Sequence, residues 1–157
     1  MTTVGITGHQ NIPASALPFI RDGLRRTLRP VPSLVGVTSL AAGADQLFAD
    51  TVLELHGELR VIVPCDAYES TFTEVDRRRY ADLLATATSV VRLPHDQPSE
   101  DAFLDAGQRV ADECELLIAI WDGEESRGVG GTADVVAYAR ERDRDVRVMW
   151  PEGVKRL

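Results

Sequence analysis

The sequence is short of cysteine, of long apolar runs and of targeting signals, and each shortage argues against a class of protein. Its two cysteines, Cys65 and Cys114, lie in different segments and belong to no CxxC or Cys/His cluster. This pattern favours a reduced pair over a disulfide and predicts no metal site. No stretch reaches the roughly 18 apolar residues that a membrane span needs. The beginning, MTTVGITGHQ, has no basic flank or cleavage pattern, so we expect a cytoplasmic protein.

Positive charge is scarce as well. The chain has 17 Lys and Arg against 25 Asp and Glu, for a net charge of −8. A general nucleic-acid binder neutralises phosphates with a basic surface, so this balance argues against nucleic acid as a partner. The run Arg77–Arg79 does not change that, because its side chains point in different directions on a predicted helix. A small anionic ligand stays possible, since one phosphate needs only local N–H groups and one arginine.

What is present is a regular alternation of apolar segments. The length of 157 residues and the apolar content of 44% fit one domain with its own core. The strand-like segments are short, β-branched and apolar on both faces, which is typical of strands covered by helices on two sides. We therefore predict a single α/β domain over residues 1–157, a Rossmann-like, doubly wound, mainly parallel six-stranded sheet with helices on both faces. The predicted strands span 2–7, 34–40, 59–63, 90–93, 116–121 and 146–150, and the helices 14–28, 44–56, 73–87, 132–142 and a segment from the N-cap Ser99 to about Glu113.

In such a sheet the ligand binds at the carboxyl ends of the strands, near the point where the strand order reverses. The segments that follow the first, second, third and fifth predicted strands are TGHQN, SLAAGAD, PCDAYESTF and WDGEESRGVGGT. Each is rich in small or polar residues, and we expect all four to converge on one edge of the sheet. This convergence predicts a small-molecule site there.

The first two of these segments contain five candidate ligand contacts. In TGHQN, formed by Thr7, Gly8, His9 and two amides, the glycine lets the backbone approach a ligand, although the spacing is not that of a GxGxxG fingerprint. His9 either donates to a phosphate or sugar or is an ordinary loop histidine. Gly43 permits the turn into the next helix. Asp45 either favours the helix dipole, by roughly 0.3–1 kcal/mol, or accepts hydrogen bonds from ribose hydroxyls or a base edge.

The segment after the fifth predicted strand leaves similar alternatives open. Trp121 is either a core residue or a platform for a base, and Asp122 either binds a sugar hydroxyl or caps the turn. Gly130, Gly131 and Thr132 then precede a helix whose free N–H groups, with the threonine hydroxyl, suit an anion. The alternative is a tight strand-to-helix turn. The place of this turn after the most apolar strand favours a phosphate site.

These segments together are similar to a known family. The stretches GITGHQ, SLAAGADQLFADTVLELHGELRVIVP and LIAIWDGEESRGVGGTADVVAYARERDRDVRVMW resemble the SLOG superfamily of Rossmann-like proteins, which includes the Lonely Guy phosphoribohydrolases and the DNA-processing protein A family. GGT at a helix start resembles the PGGxGTxxE of the Lonely Guy enzymes, and WDG…GGTADVVAYAR resembles the DG…GTxxExGxA of nucleoside deoxyribosyltransferases. The resemblance implies a nucleotide-derived ligand, a homodimer, phosphate on Gly130, Gly131 and Thr132, and sugar or base beside Gly8, Gly43 and Asp45.

The sequence departs from both enzyme groups at one residue. Their catalytic glutamate falls three residues after the motif threonine, and here that position is Val135. Asp134 is adjacent, but one residue along a helix rotates a side chain by about 100°. The departure argues against Lonely Guy-type hydrolysis.

Three functions remain open on this sequence. The first is a sensor or carrier that binds a nucleotide-like molecule without chemistry and without a cofactor. The second is an enzyme acting at an N-glycosidic bond, which needs a carboxylate for an oxocarbenium-like centre. Its candidate residues are Asp45, Asp66, Glu69, Asp122 and Asp134, of which Asp66 and Glu69 are otherwise a solvated acidic loop. The third is a nucleic-acid function like that of the DNA-processing proteins, which the net charge opposes.

Overall fold

The computed structural model describes residues 1–125 and 131–156, and strands alternate with helices along them. The strands are β1 (Thr2–Gly8), β2 (Leu34–Thr38), β3 (Glu58–Val63), β4 (Ser89–Arg92), β5 (Leu116–Ile120) and β6 (Asp145–Met149). The helices are α1 (Leu17–Leu28), α2 (Ala44–Glu54), α3 (Glu74–Ala85), α4 (Glu100–Glu113) and α5 (Thr132–Glu141). Short 3-10 turns at Ala14–Ala16 and Tyr68–Thr71 precede α1 and α3.

The strands form one sheet in the order β4-β3-β2-β1-β5-β6, and every neighbouring pair is parallel. The predicted six-stranded, doubly wound sheet is confirmed, and it is wholly rather than mainly parallel. The chain adds β2, β3 and β4 outward from β1, then returns past β1 to place β5 and β6 on the other side. The strand order therefore reverses between β1 and β5, where such folds bind their ligands.

Helices cover both faces of the sheet, as predicted. The helices α1, α2 and α3 form one group and α4 packs against α5 in the other. The larger core includes Leu24 of α1 and Phe48 of α2, and the smaller one joins Val110 of α4, Leu117 of β5 and Val135 of α5. Strand β2 is buried along its whole length because it receives helices from both sides. No helix in the described part of the chain is long and apolar enough to cross a membrane.

Helix ends follow local capping chemistry. Ser99 caps α4, as predicted, by accepting a hydrogen bond from the Ala102 N–H at 3.0 Å. Helix α2 ends two residues before the predicted end, since His56 takes the left-handed conformation with φ of 62°. The Gly57 N–H then donates to the Val52 carbonyl at 2.8 Å, which closes the helix end.

Candidate ligand-binding site

A cavity of about 700 Å³ opens at the carboxyl ends of β1, β2 and β3. Its volume is in the range of small-molecule sites, roughly 300–1,000 Å³. The helices α4 and α5 form the wall that faces the sheet. Of the residues predicted from sequence, the cavity is lined by Thr7, Gly8, His9, Asp45, Gly131 and Thr132. The convergence of separate loops on one edge is therefore observed.

Two glycines bring the β1 loop against the start of α2. A Cβ on Gly8 would lie 2.4 Å from the Ala44 Cβ, so only glycine allows this approach. Gly43 has φ of 77°, and a Cβ there would lie 2.2 Å from the Gln10 carbonyl oxygen. The Ala44 N–H also donates to the His9 carbonyl at 3.1 Å. Gly43 therefore packs closely against the backbone of the β1 loop. It is not among the described residues that line the cavity.

Asp45 presents a buried carboxyl group to the cavity. The residue is 7% exposed, and its Oδ2 accepts a hydrogen bond from the Ala41 N–H at 3.2 Å. Burial raises the pKa of Asp45 from 3.8 to about 7, against the opposing effect of hydrogen bonds from Ala41, Ser39 and Thr38. Near neutral pH this carboxyl is therefore available both as a donor and as an acceptor to a bound ligand.

Asp122 holds two cavity residues in place from outside the cavity. Its Oδ1 lies 3.2 Å from the His9 Nε2, and its Oδ2 lies 3.2 Å from the Arg156 Nε. Burial opposes ionisation, but the Glu124 N–H and the neighbouring His9 and Arg156 hold the pKa of Asp122 below its ordinary value. The His9 ring also packs edge-on against Trp150, with centroids 5.3 Å apart. An ionised Asp122 thus orients a histidine and an arginine that both line the cavity.

Arg156 is a site residue that sequence reasoning missed. It comes after the last strand in sequence, but it contacts two residues that follow β5. It pairs with Asp122, and its Nη2 donates to the Glu125 carbonyl at 2.7 Å. No local motif marks it, because its partners are more than thirty residues away in sequence. It contributes a positive charge to the cavity that the start of α5 also lines.

The start of α5 faces the cavity through Gly131 and Thr132. Gly131 is the N-cap in an extended conformation, with φ of −73° and ψ of 174°, and Thr132 is buried. The first-turn N–H groups of a helix have no carbonyl partner within the helix, which makes this a suitable place for an anion. Gly130, the other predicted phosphate contact, lies outside the described residues.

An aromatic wall, made of Tyr68, Phe72 and Phe103, lines the cavity on its β3 side. The Tyr68 ring centroid lies 4.9 Å from that of Phe72 and 6.3 Å from that of Phe103. Sequence reasoning missed the wall because the Tyr68–Thr71 turn has no helical or strand periodicity. The available signal was an aromatic pair four residues apart, Tyr68 and Phe72, in a loop already placed at the ligand edge.

The other predicted site residues do not belong to the described cavity lining. The Trp121 indole N–H donates to the Glu124 carbonyl at 2.8 Å, and the ring is half-buried. Asp66 is exposed, and Glu69 and Asp134 are half-buried. None of these three carboxylates is among the described residues that line the cavity with Asp45.

Val135 occupies the position of the glutamate in the resembling enzymes. It lines the cavity, is 2% exposed and packs so tightly that a Cβ on Gly107 would lie 2.5 Å from its Cγ2. This part of the cavity is therefore apolar. Among the described residues, no group of three His, Cys, Asp or Glu side chains is placed to hold a metal ion.

Comparison with known proteins identifies the fold. No family model matches the sequence, and no curated protein matches it. DNA processing protein A from Streptococcus pneumoniae aligns with a TM-score of 0.71 and 19% identity, over 94% of this chain and 50% of that one. DNA processing protein A from Helicobacter pylori aligns with a TM-score of 0.71 and 16% identity, over 99% and 67% of the two chains. The chain thus spans half to two thirds of these neighbours.

A third structure, the structural-genomics target TM1055, aligns with a TM-score of 0.57 and 18% identity, over 93% of this chain and 72% of that one. At these identities the likeness shows a shared Rossmann-like fold. The Helicobacter pylori protein is described by its single-stranded DNA binding mode. The charge-based expectation against nucleic acid therefore gains no support from these neighbours.

Proposed function

We propose that this chain is a single domain of the SLOG type that binds a nucleotide or nucleotide-derived molecule, as a sensor or carrier. The observation that carries the proposal is the cavity of about 700 Å³ at the switch in strand order. A helix start, an arginine, a buried carboxyl and an aromatic wall all line it. These groups match the phosphate, sugar and base of one ligand.

The order of strands supports an extended ligand. The α5 start follows β5 and Asp45 follows β2, and β1 lies between these two strands. Gly8, at the end of β1, therefore lies between the strands that lead to these two groups. A phosphate at the α5 start would place its sugar over Gly8 and toward Asp45.

The phosphate would be held by Gly131, Thr132 and Arg156, with Gly130 as a further proposed contact. The backbone N–H groups at the helix start donate to phosphate oxygens, and the guanidinium adds charge-assisted hydrogen bonds. Arg156 is held toward the cavity by Asp122, so little side-chain entropy is lost when it meets the ligand.

A binding panel with one matched pair of variants tests this. Calorimetry and thermal shift would use nucleoside mono-, di- and triphosphates, ADP-ribose and NAD, since a ligand that binds only the folded state raises the melting temperature. Arg156→Gln should weaken the affinity for a phosphorylated ligand by about 10- to 150-fold, the equivalent of about 1.5–3 kcal/mol of binding free energy. Arg140→Gln, at the exposed far end of α5, should leave the affinity unchanged. Absence of binding by every compound would refute the proposal.

A second candidate is cleavage or transfer at an N-glycosidic bond, and one observation favours it. Asp45 lies in the cavity with its pKa raised by burial to about 7, so it could protonate a leaving base at neutral pH. Water or an acceptor would then bond to the sugar carbon that the base leaves. Chromatography of each bound ligand tests this, because release of free base that Asp45→Asn abolishes would make the chain an enzyme. Ligands recovered intact would leave binding alone.

Nucleic acid is a third ligand class. Arg21, Arg25 and Arg29 recur at four-residue intervals in and just after α1, so they share one face of that helix, although Arg25 is paired with Glu54. Fluorescence anisotropy of a labelled single-stranded oligonucleotide at about 50 and 200 mM salt is the direct test. We expect the mononucleotide to bind and the oligonucleotide to bind weakly or not at all, because the net charge is −8.

A further inference from the structure

The aromatic wall of Tyr68, Phe72 and Phe103 is not among the residues proposed to contact the phosphate or the sugar. Tyr68 is 4% exposed, whereas Phe72 and Phe103 are half-buried, and all three line the cavity. Tyr68 therefore belongs to the core behind the cavity, whereas Phe72 and Phe103 pack against that core and keep ring surface that a ligand can contact.

The wall is backed by a further ring, which fixes its geometry. Tyr80 of α3 is 1% exposed and lies 5.0 Å from Phe72 and 5.5 Å from Tyr68, measured between ring centroids. Edge-to-face and tilted contacts of this kind are the favourable ones for aromatic pairs. The rings are therefore held in place before any ligand arrives, which reduces the entropy lost on binding.

The position of the wall along the sheet edge suits the far end of a nucleotide. Tyr68 and Phe72 follow β3, which is separated from β5 by β2 and β1. The wall, Asp45 and the start of α5 all line the same cavity at this edge. A ligand with its phosphate at the α5 start and its sugar over Asp45 would place its base against the wall.

Two hydroxyls beside the wall each make a hydrogen bond within the protein. The Thr71 hydroxyl donates to the Tyr68 carbonyl at 2.8 Å, and the Ser99 hydroxyl accepts from the Ala102 N–H at 3.0 Å. What the wall offers a ligand is therefore mainly the surface of its rings. Stacking on such rings tolerates any base, because every base has an aromatic face.

We propose that Phe72 and Phe103, supported from behind by Tyr68, form a nucleobase subsite that binds the base of the ligand by stacking; this rests on the proposed function. The subsite takes the purine and pyrimidine classes alike and holds purines more tightly, since a purine buries the larger ring surface. It gives the cavity its preference for nucleotides over other sugar phosphates.

Calorimetry with adenosine 5′-monophosphate, uridine 5′-monophosphate and ribose 5-phosphate separates the subsite from the rest of the cavity. On the native chain we expect each nucleotide to bind about 5- to 150-fold more tightly than ribose 5-phosphate, the range for one base on aromatic side chains. Phe72→Leu and Phe103→Leu keep apolar volume but remove the ring. They should therefore weaken the binding of both nucleotides and leave the affinity for ribose 5-phosphate unchanged. Phe19→Leu is the matched control, because Phe19 is 51% exposed on α1 and is not a described lining residue.

The outcomes distinguish this inference from the proposal beneath it. Equal affinities of the native chain for ribose 5-phosphate and both nucleotides would overturn the base subsite alone, even if a leucine variant failed to fold. The same conclusion would follow if the Phe72 and Phe103 variants weakened ribose 5-phosphate as much as the nucleotides. Failure of all three ligands to bind would overturn the nucleotide-binding function itself.

Discussion

Replacing Asp45 by asparagine should change how the stability of the protein depends on pH. Asp45 is buried in the first turn of α2, and its pKa is raised from 3.8 to about 7 chiefly by that burial. The native state therefore holds this proton more tightly than the unfolded chain does. Its contribution to stability is complete below about pH 4 and is lost as the pH rises through about 7.

The size of the effect follows from the shift. A difference of about 3 pH units, at about 1.4 kcal/mol per unit, corresponds to about 4 kcal/mol over the whole range. Between pH 5 and pH 7.5 the native chain should lose about 2.5 kcal/mol of unfolding free energy through Asp45. The Asp45→Asn chain should not show this loss, because an amide does not titrate.

Urea unfolding, followed by tryptophan fluorescence at several pH values from 5 to 7.5, measures the effect. The quantity to compare is the slope against pH, since the new amide also changes the hydrogen bond with the Ala41 N–H at every pH. Other titrating groups are common to both chains and cancel in the difference. Asp50→Asn is the matched control, on the same helix with its side chain 51% exposed. Parallel pH profiles for the native and Asp45→Asn chains would refute the reasoning.

Three further predictions follow from packing and from the family resemblance. Gly43→Ala should lower the unfolding free energy by more than about 1 kcal/mol, because it adds a Cβ at positive φ against the Gln10 carbonyl, and urea unfolding would detect this. Val135→Glu should lower the unfolding free energy by about 2 kcal/mol or more and create no glycosidic activity, since the carboxylate would be buried against Gly107. Val135→Thr should lower the unfolding free energy by less. Unfolding and base-release assays test both variants. The homodimer implied by the resemblance should give a mass near twice 17.2 kDa in light scattering.

Much of the fold was predictable because helix and strand periodicities differ. Strands such as Leu116–Ile120 are short apolar runs, and helix α4 begins at a serine cap, so their positions follow from local chemistry. The strand order was not predicted in detail, because any of several orders buries the same apolar faces. Helix α2 also ended two residues before the predicted end, since His56 adopted the left-handed conformation.

The candidate site divides in the same way into local and long-range parts. Residues such as Gly8, Asp45 and Thr132 were predicted because each belongs to a segment that follows a predicted strand, and the carboxyl ends of parallel strands meet at one edge. Phe103 was not placed at the site, since it lies inside helix α4 and its approach to Tyr68 depends on how that helix packs. Trp121 also follows a strand, but its indole N–H donates to the Glu124 carbonyl and it is not among the described residues that line the cavity.

The proposed phosphate site shows why its glycine motif was only a partial signal. Three distant segments meet there: His9 after β1, Asp122 after β5 and Arg156 after β6. His9 and Asp122 are 113 residues apart, yet the His9 Nε2 lies 3.2 Å from both the backbone nitrogen and the Oδ1 of Asp122. A tight turn alone would need only Gly131 and its neighbours, whereas here Arg156, held by Asp122, lines the same cavity as the helix start. On the proposed function, Gly131 is therefore one part of a site that the parallel sheet assembles, and Arg156 would favour an anion there.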